Sequence, residues 1–158
     1  RNILLLSERR GHLVTISDML EKSDFTNYGF YVGGMKEKEL KLSENKQVIL
    51  GTYNMCSEGY DNVNLDTLIM ASSKGNIEQA VGRILRKKIY DIEPLVVDLV
   101  DNFSAFVNQG KKRTAFYKKK TGVTAPKVEV DILENPHQSV AVFHGASMMA
   151  ITVRIIIH

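Results

Sequence analysis

The chain has 158 residues, of which 44% are hydrophobic and 25% are charged, and its formal net charge is +3. This length and apolar content suit one compact domain with its own core. No apolar run reaches the roughly 18 residues of a membrane helix, so the sequence predicts no membrane contact. Cys56 excludes an internal disulfide because it is the single cysteine, and it predicts a reducing, intracellular compartment. The four histidines lack ligand spacing, which predicts no metal site.

Apolar runs alternate with segments of helical periodicity along the chain, which predicts an α/β fold: a parallel sheet with helices on both faces. In chain order, the predicted strands are 3–6, 30–32, 47–52, 67–71 and 95–100. The predicted helices are 12–22, 36–42 (a helix or a turn), 76–88 and 103–120. Beyond residue 122, alternating apolar residues at 128–132 and 151–157 predict further strands. We therefore expect one domain over 1–122, including the basic helix 103–120, and a C-terminal extension over 123–158.

The segment QAVGRILR at 79–86 is the most informative stretch. On a helix of about 100° per residue, Gln79, Arg83 and Arg86 share one stripe, and Gly82 lies beside it. The opposite side of the helix is apolar and would anchor it in a core, through Ile77, Val81, Ile84 and Leu85. Two guanidinium groups and an amide on one face favour an anion such as phosphate. A solvated basic face, or salt bridges to neighbouring acids, would produce the same pattern.

In two other segments, a predicted strand ends and polar residues follow it. The first is LGTYNMCSEGYD at 50–61, where Thr52 could present its hydroxyl to a nucleic-acid phosphate. The alternative is an ordinary connection between a strand and a helix, with Asp61 capping a turn, since glycine and aspartate are common turn residues. The second is ILLLSERR at 3–10, where Arg9 and Arg10 supply positive charge at the end of a strand. This pair could contact the backbone of a nucleic acid, or it could lie in a solvated turn.

Together, in this order and spacing, the three segments resemble the C-terminal RecA-like lobe of superfamily-two helicases. The variant GRILR with a following D-x-V-D-N-F is similar to the branch of phage, poxvirus and other large-DNA-virus helicases. The resemblance covers about residues 2–101. It implies that Arg83 and Arg86 act as arginine fingers on ATP, with Gln79 on a γ-oxygen or the attacking water. It also implies a nucleotide-side position for Gly59, Asp61 and Gly82, and a nucleic-acid contact for Thr52.

A basic run follows within the predicted helix 103–120. Its candidate nucleic-acid residues are Lys111, Lys112, Lys118 and Lys119, and Arg113 and Lys120 belong to the same run. Interleaved with Phe116 and Tyr117, these cations could grip phosphates while a ring stacks on a base. A solvated charged face is the common alternative. Packing of the aromatic residues in the core is another.

The sequence contains neither a G-x-x-x-x-G-K-[ST] phosphate loop nor a D-E-x-D or D-E-x-H tetrad. In the resembling family both belong to the first lobe, which also binds Mg²⁺. Because the chain begins at Arg1 rather than Met, we expect a fragment that cannot hydrolyse ATP alone. The parent protein would be an ATP-dependent helicase or translocase, with DNA favoured as the nucleic acid. The alternative is a non-catalytic RecA-like module that binds nucleic acid or a protein. A phosphate enzyme of another doubly wound type is disfavoured because no glycine-rich phosphate loop is present.

The tail HGASMMAITVRIIIH at 144–158 leaves several roles open. It could add a strand to the sheet edge, dock another copy of the chain to make a homodimer, or be foreign to the natural protein. If the protein is viral, the resemblance implies the host cytoplasm or a viral factory as its location. Nucleic-acid type, translocation polarity and oligomeric state are not determined by the sequence.

Overall fold

Seven strands form the framework of the computed structural model. The structure describes residues 1–57, 60, 62–72, 74–84, 91–101, 104–122, 127–131 and 149–156. The strands are β1 (Ile3–Ser7), β2 (Tyr28–Tyr31), β3 (Val48–Thr52), β4 (Thr67–Met70), β5 (Leu95–Asp101), β6 (Lys127–Asp131) and β7 (Met149–Ile156). They form one sheet in the order β2-β3-β1-β4-β5-β7-β6, and every adjacent pair is parallel. The predicted parallel α/β fold is confirmed.

Among the described residues, five helices lie between the strands. They are α1 (Arg10–Lys22), α2 (Glu37–Glu44), α3 (Tyr53–Ser57), α4 (Glu78–Ile84) and α5 (Ser104–Thr121). Gly122 follows α5 with a φ of 73°, the left-handed conformation that glycine adopts readily just beyond a helix C-terminus. Among the described residues, no helix combines the length and apolar character that a membrane crossing requires.

The apolar residues of β1 alternate between two cores, one on each face of the sheet. Ile3 and Leu5 of β1 pack against the smaller core, which contains Leu13 of α1. The larger core contains Leu4 and Leu6. It also takes up buried residues from α3, α4 and α5, among them Tyr53, Cys56, Ile77, Val81 and Tyr117. Helices therefore cover both faces, and most of them pack on the side of the larger core.

The register of the central strands brings three strand ends to one edge of the sheet. Ser7 at the end of β1 pairs with Thr52 at the end of β3. Leu6 pairs with Met70 at the end of β4 on the other side. In an open parallel sheet, ligands bind beyond these carboxyl ends. The loops after β1, β3 and β4 therefore meet at the edge where a ligand is expected.

Helix α4 begins as the sequence predicts. The backbone N–H of Glu78 donates a hydrogen bond to Asn76 Oδ1 at 3.1 Å. This bond satisfies one of the free N–H groups at the start of the helix. Ile77 and Val81 are 3% and 1% exposed, so they anchor the helix in the larger core. Residues 85–88 of the predicted helix lie outside the described residues.

The segment after β3 begins with a short helix that the sequence analysis did not predict, since residues 53–57 form α3. Tyr53 and Cys56 are both buried, and their burial secures this short helix against the sheet. A Cβ atom at Gly51 would lie 2.5 Å from the Cys56 Sγ atom. Glycine at position 51 therefore lets α3 pack directly against the end of β3.

The strands beyond α5 extend the sheet past β5. Strand β7 pairs with β5 over seven residues, from Leu95↔Met149 to Asp101↔Ile155, and β6 lies beyond it. The tail strand is therefore joined to the sheet of its own chain. The division of the chain into parts at residue 122 stays a prediction.

Candidate functional site

Residues from all three motif segments lie at the carboxyl edge of the sheet. Thr52 is the last residue of β3 and is half-buried. Arg9 and Arg10 lie two and three residues after the end of β1, and both are exposed at the start of α1. Gln79 lies in the first turn of α4, which the loop after β4 connects to the sheet. The fold thus gathers side chains that are far apart in sequence around neighbouring strand ends.

A cavity of about 240 Å³ lies between α3 and α4 at this edge. Its lining residues are Leu6, Tyr53, Asn54, Cys56, Ser57, Lys74, Asn76, Gln79 and Ala80. Amides, a hydroxyl and an ammonium group therefore face a space whose floor is apolar. Such a mixture of an apolar floor and a few polar groups is typical of a small-ligand site.

The remaining residues of the α4 stripe are defined to different extents. Arg83 lies four residues beyond Gln79 in α4, and its role stays a prediction. Gly82 is exposed, and a Cβ atom added to it would meet no atom within 4 Å. Space beside Gly82 is therefore open to a second surface. Arg86, Gly59 and Asp61 lie outside the described residues, so their roles stay predictions.

The loop that leads into α4 is tied to two neighbouring elements. The Ser72 hydroxyl accepts the backbone N–H of Glu8 at 2.9 Å, and the Ser72 carbonyl accepts the Tyr53 hydroxyl at 2.8 Å. Lys74 contacts the Glu8 carboxylate and lies 5.4 Å from the centre of the Tyr53 ring. Burial raises the pKa of the Tyr53 hydroxyl, which keeps it a donor. The turn after β1 and the start of α3 therefore set the position of this loop.

Sequence reasoning did not single out Tyr53, Ser72 or Lys74 as site residues. Each is a common residue type, and each interacts with a residue distant in sequence, so local patterns carry little signal for them. Ser7, which precedes the Arg9–Arg10 pair, is fully buried. Its hydroxyl pairs with His12 Nδ1 at 3.0 Å and accepts the Arg9 backbone N–H at 3.3 Å. Ser7 thus shapes the turn that presents the two arginines.

The basic run on α5 contains one residue that the sequence analysis placed wrongly. Arg113 is 1% exposed, and its Nε atom donates to Asp98 Oδ2 at 2.7 Å. It therefore belongs to the interior and not to a phosphate-binding surface. The physical reason is its position on the inward stripe of α5, between Gly110 and Tyr117, which are also buried.

The four candidate lysines of the basic run are exposed, as a phosphate-binding surface requires. They are Lys111, Lys112, Lys118 and Lys119. A helix of 3.6 residues per turn divides them into two rows, Lys111 with Lys118 and Lys112 with Lys119. Lys119 of the second row lines a groove of about 360 Å³ between α4 and α5. The other lining residues are Glu78, Val81, Gly82, Phe116 and Lys120. The Lys120 ammonium lies 6.0 Å from the centre of the Phe116 ring.

Comparison with known proteins indicates the family of the chain. A protein of Acanthamoeba polyphaga mimivirus, named as an ATP-dependent RNA helicase, is 44% identical over 122 residues. The match covers 75% of this chain and 24% of the mimivirus protein. An uncharacterised protein of Invertebrate iridescent virus 3 is 31% identical over 86 residues, which cover 54% of this chain and 81% of that protein. The chain belongs to this family of viral helicases.

The structural comparison supports the α/β fold. The C-terminal part of the Fun30 ATPase domain superposes with a TM-score of 0.56 at 14% identity. The match covers 70% of this chain and 38% of that one. At this identity the likeness establishes the fold alone. No protein-family model matches the sequence.

The chain spans about a quarter of the length of its mimivirus relative. The resemblance to a superfamily-two C-terminal lobe, which rested on three short motifs, is confirmed at the level of the lobe.

Among the described residues, no group of three or more histidine, cysteine or acidic side chains could hold a metal ion.

Proposed function

We propose that this chain is the second motor lobe of an ATP-dependent nucleic-acid helicase or translocase. The observation that carries the proposal is the cavity between α3 and α4, which Gln79 lines beside the end of β1. The two segments that resemble consecutive helicase motifs thus share one polar recess at the carboxyl edge of the sheet. A nucleotide held by a first lobe would meet this recess when the two lobes close.

On the nucleotide side, Gln79, Arg83 and Arg86 would act on the γ-phosphate. The exposed Gln79 amide borders the recess and would bind a γ-oxygen or orient the attacking water. The two guanidinium groups would compensate the charge that develops during phosphoryl transfer. Gly82 leaves room for close approach. Gly59 and Asp61 would contact the nucleotide from the segment after α3.

On the nucleic-acid side, Thr52, Arg9 and Arg10 would contact the sugar-phosphate backbone. Thr52 and Ser7 are paired at adjacent strand ends, so the turn that bears the arginines lies next to Thr52. This surface would form one continuous backbone contact. Our sequence-based preference is DNA, whereas the mimivirus relative is named as an RNA helicase. Both nucleic acids therefore belong in the test.

The chain alone should not turn over ATP. Its sequence contains no phosphate loop and no acidic tetrad, so the groups that cradle the phosphates and bind Mg²⁺ would come from a first RecA-like lobe. Closure of the two lobes on ATP and opening after hydrolysis would then move one lobe along the strand. The host cytoplasm or a viral factory would be the place of action.

The decisive experiment joins this chain to the first lobe of its parent protein and measures ATPase activity with single-stranded DNA and with RNA. Arg83→Ala and Arg86→Ala should each lower kcat by about 10³-fold or more, the range of an arginine finger. Lys46→Ala changes an exposed cation away from the site and serves as the control. Unchanged kcat in both arginine variants would contradict the motor function.

The exposed lysine rows on α5 favour a second candidate, a non-catalytic module that binds nucleic acid through this helix. It requires no contribution from Gln79 or the arginines. It predicts that the isolated chain binds nucleic acid equally well after Gln79→Ala and loses binding when the lysines are replaced. The same two-lobe ATPase measurement separates the two candidates.

A further inference from the structure

Asp98 and Arg113 form an ion pair inside the larger core. Their side chains are 0% and 1% exposed, and Arg113 Nε lies 2.7 Å from Asp98 Oδ2. The Tyr117 hydroxyl donates to the same carboxylate oxygen at 3.2 Å. Arg113 also donates from Nη1 to the backbone carbonyl of Lys74, 2.9 Å away. The pair therefore connects β5 and α5 to the loop that leads into α4.

Stability alone does not account for this pair. Removing two ions from water costs more than their attraction returns unless the geometry satisfies every polar atom. Among the described residues, Asp98 Oδ1 and Arg113 Nη2 have no hydrogen-bond partner. Burial also raises the pKa of Asp98, against the lowering effect of Arg113. Apolar side chains of similar volume would fill the same space at lower cost.

The bond to the Lys74 carbonyl is the contact that apolar side chains would not replace. Lys74 lies four residues before the first residue of α4 and five before Gln79. Its side chain already contacts Glu8 on the far side of the loop. Arg113 therefore holds the loop backbone from the core side, while Glu8 and Tyr53 hold it from the sheet edge.

We propose that Arg113, supported by Asp98, is a positioning residue that sets where α4 begins and thereby where Gln79 and Arg83 point. The effect on ATP hydrolysis rests on the proposed motor function. Its structural part, the anchoring of α4 through the Lys74 carbonyl, is testable in this chain alone.

The first test replaces the cluster by apolar residues, with Asp98→Val, Arg113→Met and Tyr117→Phe combined. Amide hydrogen exchange is followed for residues 78–82, together with the midpoint of urea unfolding. We expect a midpoint equal to or above that of the unchanged protein, and exchange at 78–82 about tenfold faster. Tyr117→Phe alone is the matched control because it leaves the ion pair and the Lys74 bond in place. Unchanged exchange in a folded triple variant would overturn the anchoring.

Arg113→Lys gives a second variant in case the triple variant does not fold. Lysine keeps the positive charge beside Asp98 but has a single nitrogen. Arginine uses two nitrogens, one for Asp98 and one for the Lys74 carbonyl. Exchange at 78–82 should rise by about threefold, between the unchanged protein and the triple variant. Exchange as slow as in the unchanged protein would again overturn the anchoring.

The second test uses the two-lobe protein and measures kcat and KM for ATP separately. A displaced α4 should lower kcat by about tenfold or more and change KM little, since the first lobe holds most of the nucleotide. Faster amide exchange at residues 78–82 together with an unchanged kcat would overturn the positioning role. If Arg83→Ala also left kcat unchanged, the motor function would fail, and the hydrogen-exchange result would still decide the anchoring.

Discussion

Lys74 contacts the carboxylate of Glu8 across the carboxyl edge of the sheet, and this ion pair joins the loop before α4 to the turn after β1. The two side chains are 34% and 49% exposed. Solvent screens such a pair, so its effect on stability is small. Its significance is geometric, since it connects the candidate nucleic-acid turn to the helix that bears Gln79.

This arrangement predicts an order of effects for the contacts of the loop. Lys74→Met should change the free energy of unfolding by less than about 1 kcal/mol, because the ion pair is exposed. Tyr53→Phe removes a buried hydroxyl that donates to the Ser72 carbonyl and should cost about 1–2 kcal/mol. Urea unfolding of the two variants checks the order. A larger loss for Lys74→Met than for Tyr53→Phe would contradict it.

Gly51 and Gly82 should respond in opposite directions to alanine. A Cβ atom at Gly51 would lie 2.5 Å from Cys56 Sγ and 3.3 Å from a Leu6 methyl carbon, so Gly51→Ala should destabilise by about 1–3 kcal/mol. Gly82→Ala meets open space within a helix and should stabilise by about 0.5–1 kcal/mol. Thermal or urea unfolding of this chain measures both.

Cys56→Ala in the Gly51→Ala background tests the cause of that loss. Removing the sulfur relieves the clash, so the double variant should lose less stability than the sum of the two single variants. Strict additivity would show that the sulfur contact is not responsible.

Alkaline pH should unfold the protein through its buried tyrosines. Burial raises the pKa values of Tyr53, Tyr60 and Tyr117 above the ordinary value of about 10. Because the unfolded chain loses these protons first, it binds fewer protons than the folded chain, and stability falls as pH rises above about 10. Tyrosinate absorbance should show these three residues ionising together with the loss of helical circular dichroism. Their ionisation at pH 10 with the fold intact would contradict the prediction.

The lysine rows of α5 should differ in nucleic-acid binding. Lys112→Gln with Lys119→Gln removes the row that contains Lys119, which lines the groove between α4 and α5. The slope of log affinity against log salt should fall by about 1.4 for a single strand. Lys111→Gln with Lys118→Gln should change the slope less, because neither lysine lines that groove. Lys38→Gln with Lys46→Gln controls for net charge. An unchanged slope in the first variant would remove this row from the interface.

Local periodicity was sufficient for most of the elements. The apolar run Ile3 to Leu6 predicted a buried strand, and its residues do pack into the cores on the two faces of the sheet. The apolar face of Ile77 and Val81 predicted the helix that became α4. Helix α3 was missed because Gly51, Asn54 and Ser57 have high turn propensity. Their helix is stabilised by the burial of Tyr53 and Cys56, which only the folded sheet provides.

The motif order, the strand and helix periods and the likeness to a helicase lobe were all present in the chain itself, since they depend on near neighbours in sequence. The tertiary structure alone decided that Arg113 is an interior residue and that Ser72, Lys74 and Tyr53 position the loop before α4. Each of these contacts joins residues at least 15 positions apart. Burial and charge pairing over such separations arise when the sheet brings its strand ends together, and no local pattern specifies them.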